Sequence, residues 1–181
     1  EGVSALDSGD CQTAITKFRQ AFDMVHQPSI LYNLATAESE CHDIVSAAEH
    51  YQAFVDQVRS GTAARYRPDA RRQLAAIRRR LGHLAIHAEG IQPDDDVHVD
   101  DRTIATTALE DVPVAAGDHV VVVNRGGAEW GRATATTTDG QRVSVDVTLT
   151  EPVVVPTPEQ TAQTVAASEP DANPLTEPQP N

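Results

Sequence analysis

The chain has 181 residues, with Lys+Arg 14 against Asp+Glu 27, a formal net charge of -13, 40% hydrophobic and 4% aromatic residues. One or two small domains fit that length. The apolar content excludes a collagen-like or wholly disordered chain, and the acidity excludes nonspecific nucleic-acid binding as a default, because phosphate binding needs a basic face.

The charge is unevenly placed. Residues 1–60 sum to -6, residues 61–83 to +6, residues 84–150 to -8 and residues 151–181 to -5. These breaks divide the chain into a helical part (1–83), a second domain (84–150) and a tail (151–181). The longest strongly apolar run, Val120–Val123, is far short of the roughly 20 residues a membrane helix needs. Glu1-Gly2 already belongs to a helical pattern, so the sequence reads as a mature or trimmed fragment.

The first elements are helices, expected at about 2–8, 11–25, 29–41 and 44–59. Ala14, Phe18, Ala21, Phe22 and Val25 share one helical face, as do Ala47, Tyr51, Phe54, Val55 and Val58. A shift of 33 residues superposes Asp10 on Asp43, Ala14 on Ala47 and Phe18 on Tyr51. Stacked copies bury faces that one helix pair cannot bury alone. Asp10 and Asp43 are candidate N-caps, and Gln27-Pro28-Ser29 breaks the chain between the pairs, with Ser29 expected to cap the next helix.

Gly9-Asp10-x-x-x-Ala14-Ile15-x-x-Phe18-x-x-Ala21 resembles the second helix of a tetratricopeptide repeat, and Leu31-x-x-Leu34-Ala35 the first helix of the next. The resemblance covers about 1–59, one and a half repeats, with His42 where glycine is usual. It implies a concave groove, lined by first helices, that binds a peptide or a partner protein. Tyr32, Asn33, Thr36 and Glu40 would then face the ligand. The alternative is that they are ordinary solvated helix positions.

Cys11 opens one helix and Cys41 closes the next. Folding the two helices antiparallel about Gln27-Pro28 brings Cys41 within about 4.5 Å, along the axis, of the level of Cys11. A disulfide is expected, with an oxidising compartment as its corollary; two small buried thiols are the alternative.

Arg67-Pro68-Asp69 starts a further helix that Gly82 stops, with Ala70, Leu74, Ile77 and Leu81 as its apolar stripe. Arg71, Arg72, Arg78, Arg79 and Arg80 populate the rest. Arg71, Arg72, Arg78 and Arg79 could face an anion: an anionic partner, lipid headgroups or nucleic acid. Otherwise this is a capping helix whose arginines neutralise acidic neighbours.

After Gly82 the period becomes two. Strands are expected at Leu84–Ala88, Val97–Val99, Val112 onward into His119–Asn124, and Arg132–Thr138 paired with Arg142–Thr150 about Asp139-Gly140. The whole is therefore α+β: helical hairpins with a capping helix, then a small antiparallel sandwich. Val97-x-Val99-Asp100 and Gly117-x-His119-x-Val121-x-Val123, within 84–150, resemble a PEGA domain, with Asp101 where a turn glycine is usual. A tetratricopeptide-like part before a PEGA-like one resembles bacterial envelope proteins. It implies a periplasmic or other extracytoplasmic setting, with anchoring by a segment outside this sequence.

The candidate chemical sites are sparse. Asp94, Asp95, Asp96, Asp100 and Asp101 read as a solvated turn rather than a calcium loop, since the spacing is not that of the helix-loop-helix motif. His87, His98 and His119 read as exposed strand histidines rather than zinc ligands. Trp130 reads as packed on the sandwich; as an exposed aromatic it would suit a cell-wall glycan. No nucleophile elbow, paired-carboxylate site or phosphate loop is present, so a non-enzymatic module without cofactor or metal is expected. The stretch 151–181 holds seven of the 11 prolines and no base, the composition of a disordered linker.

Overall fold

Two helix starts follow the caps read from the sequence, at Asp10 and Asp43; the Ser29 cap is corrected, because the helix after the break already begins at Pro28, with Gln27 before it and no side-chain cap bond. In the computed structural model, which describes residues 1–151, the helical part contains α1 (Gly2–Asp7), α2 (Cys11–Val25), α3 (Pro28–Glu40), α4 (Ile44–Gln57), a 3-10 helix at Thr62–Tyr66 and α5 (Arg67–Arg78). Asp10 accepts from the Thr13 amide at 3.1 Å, and Asp43 accepts from the Ser46 amide at 3.2 Å. Gly9 (φ 77) and His42 (φ 68), 33 positions apart, both take the left-handed conformation that turns one helix into the next. Glycine adopts it freely; His42 does so at a cost of about 1 kcal/mol. The two hairpins therefore repeat the same turn and cap at the predicted offset. The expected tail, beyond Glu151, lies outside the described residues.

Cys11 and Cys41 are joined by a disulfide, with their Cα atoms 5.6 Å apart. It ties the start of α2 to the end of α3, as the antiparallel reading requires. Leu31, Tyr51, Phe54, Leu74 and Leu81 belong to one core, while Phe18, Leu34 and Ala37 form a smaller one under α1 and α2. Each such side chain contributes about 1.5–3 kcal/mol on burial. Glu38 is fully buried among α2, α3 and α4. Its carboxylate meets the His50 Nδ1 at 2.6 Å and the Arg19 guanidinium at 3.4 Å, which compensates a charge that burial would otherwise disfavour.

The chain then changes character at Gly82. Among the described residues seven strands follow: β1 (Gly82–His87), β2 (Asp96–Val99), β3 (Arg102–Ile104), β4 (Val112–Val114), β5 (Gly117–Arg125), β6 (Ala128–Thr137) and β7 (Arg142–Asp146), with a 3-10 helix at Thr106–Asp111. They form a three-stranded sheet in the order β4-β1-β7 and a four-stranded sheet in the order β3-β2-β5-β6. Leu84 and Ile86 from the first sheet share one core with Val97, Val121 and Val123 from the second. Leu81 lies in the helical core and Leu84 in the β core, so two residues, Gly82 and His83, carry the chain from one to the other. A Cβ on Gly82 would lie 2.9 Å from the Thr137 Cβ, a contact that only glycine allows.

Two strand expectations are corrected. The sheets are not wholly antiparallel: β1 and β7 pair in parallel, from His83 opposite Arg142 to His87 opposite Asp146. The turn at Asp139-Gly140 does not close a hairpin, because β6 pairs with β5 in one sheet and β7 with β1 in the other. The turn chemistry is present: Gly140 has φ 70, and the Gln141 amide donates to the Thr138 carbonyl at 3.0 Å. What redirects β7 is the free edge of β1, whose other edge is held by β4. There Val145 enters the shared core.

Candidate functional site

The four α3 residues expected to face a ligand do not share one fate. Asn33 and Glu40 are exposed, whereas Tyr32 and Thr36 are half-buried. The Tyr32 hydroxyl donates to Asp69 at 2.7 Å, and its ring stacks on Tyr66 with centroids 5.0 Å apart. Burial, then the hydrogen bond and charge of Asp69, push the Tyr32 hydroxyl up to about 12. The Thr36 hydroxyl donates to the Tyr32 carbonyl at 2.9 Å and lies 3.0 Å from the Tyr51 hydroxyl. Burial raises Tyr51 above the ordinary tyrosine value as well. Tyr32 thus joins α3 to α5, and the row Asn33, Thr36, Glu40 runs beside it at helical spacing.

All four candidate anion-facing arginines are exposed on α5 or just beyond its end, Arg72 and Arg79 opposite the buried Ala70, Leu74 and Ile77 and Arg71 and Arg78 at the flank of that stripe. Arg72 pairs with Asp69, and Arg78 donates to the Gln52 side-chain oxygen at 2.7 Å. Arg71 and Arg79 have no carboxylate within 4.0 Å among the described residues. Neutralisation by acidic neighbours therefore describes Arg72 alone among the four.

Between α4 and the first sheet lies a groove of about 680 Å³, lined by Gln52, Ala53, Arg78, Leu81, His83 and Pro113 among others. His83 Nδ1 is 2.9 Å from an Asp111 carboxylate oxygen, without hydrogen-bond alignment. Arg102 spans the helical and β parts, meeting Glu49 at 2.6 Å and donating to the Pro113 carbonyl at 3.0 Å.

The β turns hold two polar clusters that sequence reasoning placed in solvent. Asp95 is buried. Arg125 grips it bidentately at 2.6 and 2.7 Å, and the Gln92 amide donates to it at 2.8 Å. The Arg125 hydrogen bonds hold the Asp95 carboxyl below its ordinary value of 3.8. The same guanidinium covers the Trp130 ring, 4.3 Å from its centroid, a cation–π contact.

His119 is also buried rather than exposed. Its Nδ1 meets Asp100 at 2.8 Å, and its Nε2 donates to the Ala115 carbonyl at 2.8 Å. Asp100 (φ 53) further accepts from the Val120 amide at 2.9 Å. The two motif fragments, Val-x-Val-Asp and Gly-x-His-x-Val, are thus one contact seen from both ends. His98 stays half-exposed and His87 exposed, on different sheets from one another. Replacing His119→Ala is expected to cost about 2–3 kcal/mol, the loss of a buried ring plus an unpaired carbonyl. Urea melts measure this; a cost under about 1 kcal/mol would show the contact to be dispensable.

Comparison with known proteins supports this part of the molecule. Residues 82–152 match the PEGA domain family, so the chain carries a PEGA domain behind its helical part. No curated protein and no solved structure matches the chain. A PEGA domain and a disulfide both fit an extracellular or periplasmic location. Among the described residues no helix is long and apolar enough to cross a membrane.

Proposed function

We propose that the chain is a non-enzymatic interaction module of a bacterial envelope protein. Its tetratricopeptide-like hairpins dock a protein or peptide partner along α3, and the PEGA domain, its two sheets packed as a small sandwich, serves as a rigid spacer. The observation that carries the reading is the α3 row: Asn33 and Glu40 stay open to solvent while Tyr32 beside them is committed to α5. Rigid support comes from Arg102 and from the tight passage through Gly82. The runner-up, glycan binding through the β loops, has less in its favour because Arg125 covers one face of Trp130. Sugar rings stack on free aromatic faces.

The test is a photo-crosslinking residue placed at position 33 of the full chain, exposed to an envelope extract, with position 132 as control. We expect adducts at 33 at least about tenfold above those at 132, and their loss in Thr36→Arg/Glu40→Arg. Equal labelling at both positions overturns the reading.

A further inference from the structure

The geometry points to the exposed face of α5 as a docking surface for a short acidic protein segment. This inference rests on the interaction-module reading and names the chemistry of one partner. Arg71 and Arg78, and beside them Arg72 and Arg79, lie seven residues apart, two turns of helix, so the four form two neighbouring rows over about 12 Å. The stripe Ala70, Leu74 and Ile77 is fixed in the core, and of the four arginines Arg78 also reaches across to Gln52 on α4. Arg71 and Arg79 meet no carboxylate among the described residues, and Arg72, although paired with Asp69, keeps its side chain 73% exposed. Positive charge is thus presented to solvent.

The choice of partner follows from the surroundings of the patch. The described residues on either side of this stretch, 1–60 at -6 and 84–150 at -8, together carry -14. A nucleic-acid duplex or an anionic bilayer extends its charge tens of ångströms past a 12 Å patch. With a screening length of about 8 Å, it would meet those acids as repulsion. A segment of about four extended residues, roughly 13 Å long, confines its carboxylates to the patch. The cations are also the right kind. They are guanidiniums, whose planar forks bind carboxylates bidentately, whereas the chain's one lysine, Lys17, lies on α2.

The experiment titrates the full chain into a fluorescein-labelled oligoglutamate of about five residues and follows anisotropy. Phosphatidylglycerol vesicles and a short DNA duplex serve as parallel arms. Binding of the peptide is expected to weaken at least about tenfold in Arg71→Glu/Arg79→Glu and to be largely retained in Arg71→Lys/Arg79→Lys. Because both side chains are exposed, these variants should fold normally, which circular dichroism checks. Equal binding by wild type and the charge-reversed variant overturns the proposal, as does tighter binding of vesicles or duplex than of peptide. Crosslinking at position 33 is read in the same variants. If it persists while peptide binding is insensitive to the arginines, this inference fails and the α3 reading stands; if it is absent while the peptide still binds through the arginines, the reverse holds.

Discussion

Replacing both Cys11→Ser and Cys41→Ser will lower the stability of the chain by about 3–4 kcal/mol. The bond joins residues 30 apart in sequence, and in the chain-entropy account a loop of that size restricts the unfolded ensemble by that amount. Little else could substitute for it. α1 is only six residues long with no buried residue, and α2 buries only Ala14 and Phe18. The core beneath them is the small cluster of Phe18, Leu34 and Ala37. Without the crosslink, α1 and α2 depend on that cluster, on the half-buried Phe22 against the larger core and on the Arg19–Glu38 contact, so they should open first. Urea melts of the oxidised wild type and the double variant measure the difference. A reductant should shift the wild type by the same amount and leave the variant unmoved. A loss below about 1 kcal/mol, or a variant still sensitive to reductant, contradicts the argument.

Asp95→Ala is expected to cost about 2 kcal/mol and to change the acid limb of the stability curve. Arg125 makes two hydrogen bonds to this carboxylate, donates to the Gly90 carbonyl at 2.9 Å and lies over Trp130. Removing the carboxylate frees the Gln92 amide and loosens the guanidinium from the ring. Removing one partner of a buried pair typically costs 3–5 kcal/mol. Here the flanking Pro93, Asp94 and Asp96 are exposed, so water can reach the vacated site, and we place the cost lower. The sign of the pH effect follows from the Asp95 pKa being lower in the folded state. The contribution is complete above the unfolded carboxyl value, about 3.9, and is lost as pH falls through the lower folded value. Wild type should therefore lose stability below about pH 4 more steeply than Asp95→Asn. Parallel acid limbs for the two proteins would refute the assignment.

The helical half was largely legible in the sequence. Caps at Asp10 and Asp43, a break at Pro28 and period 3.6 are local signals, and helical hydrogen bonds are local too. The 33-residue offset even placed His42 opposite Gly9, and the antiparallel pairing of adjacent helices brought Cys11 to Cys41. The PEGA-like motifs were equally visible as strings, since the spacing of Asp100, Gly117 and His119 is written in the chain.

What those strings do was decided by the tertiary structure. Hydrophobic alternation says that a strand has an inner face but not which edge it will join. That is why Asp139-Gly140 reads as a hairpin and yet sends β7 to the free edge of β1. Burial of polar groups is hidden for the same reason. Asp95, Glu38 and His119 are each made tolerable by partners at least 12 residues away, Arg125, His50 and Asp100. Tyr32 likewise reads as an open groove position until Asp69, 37 residues on, takes its hydroxyl. Local periodicity determined the elements and their caps. Non-local pairing, which depends on which edges and charges remain unsatisfied after collapse, decided the sheet order, the buried polar contacts and which arginines stay free.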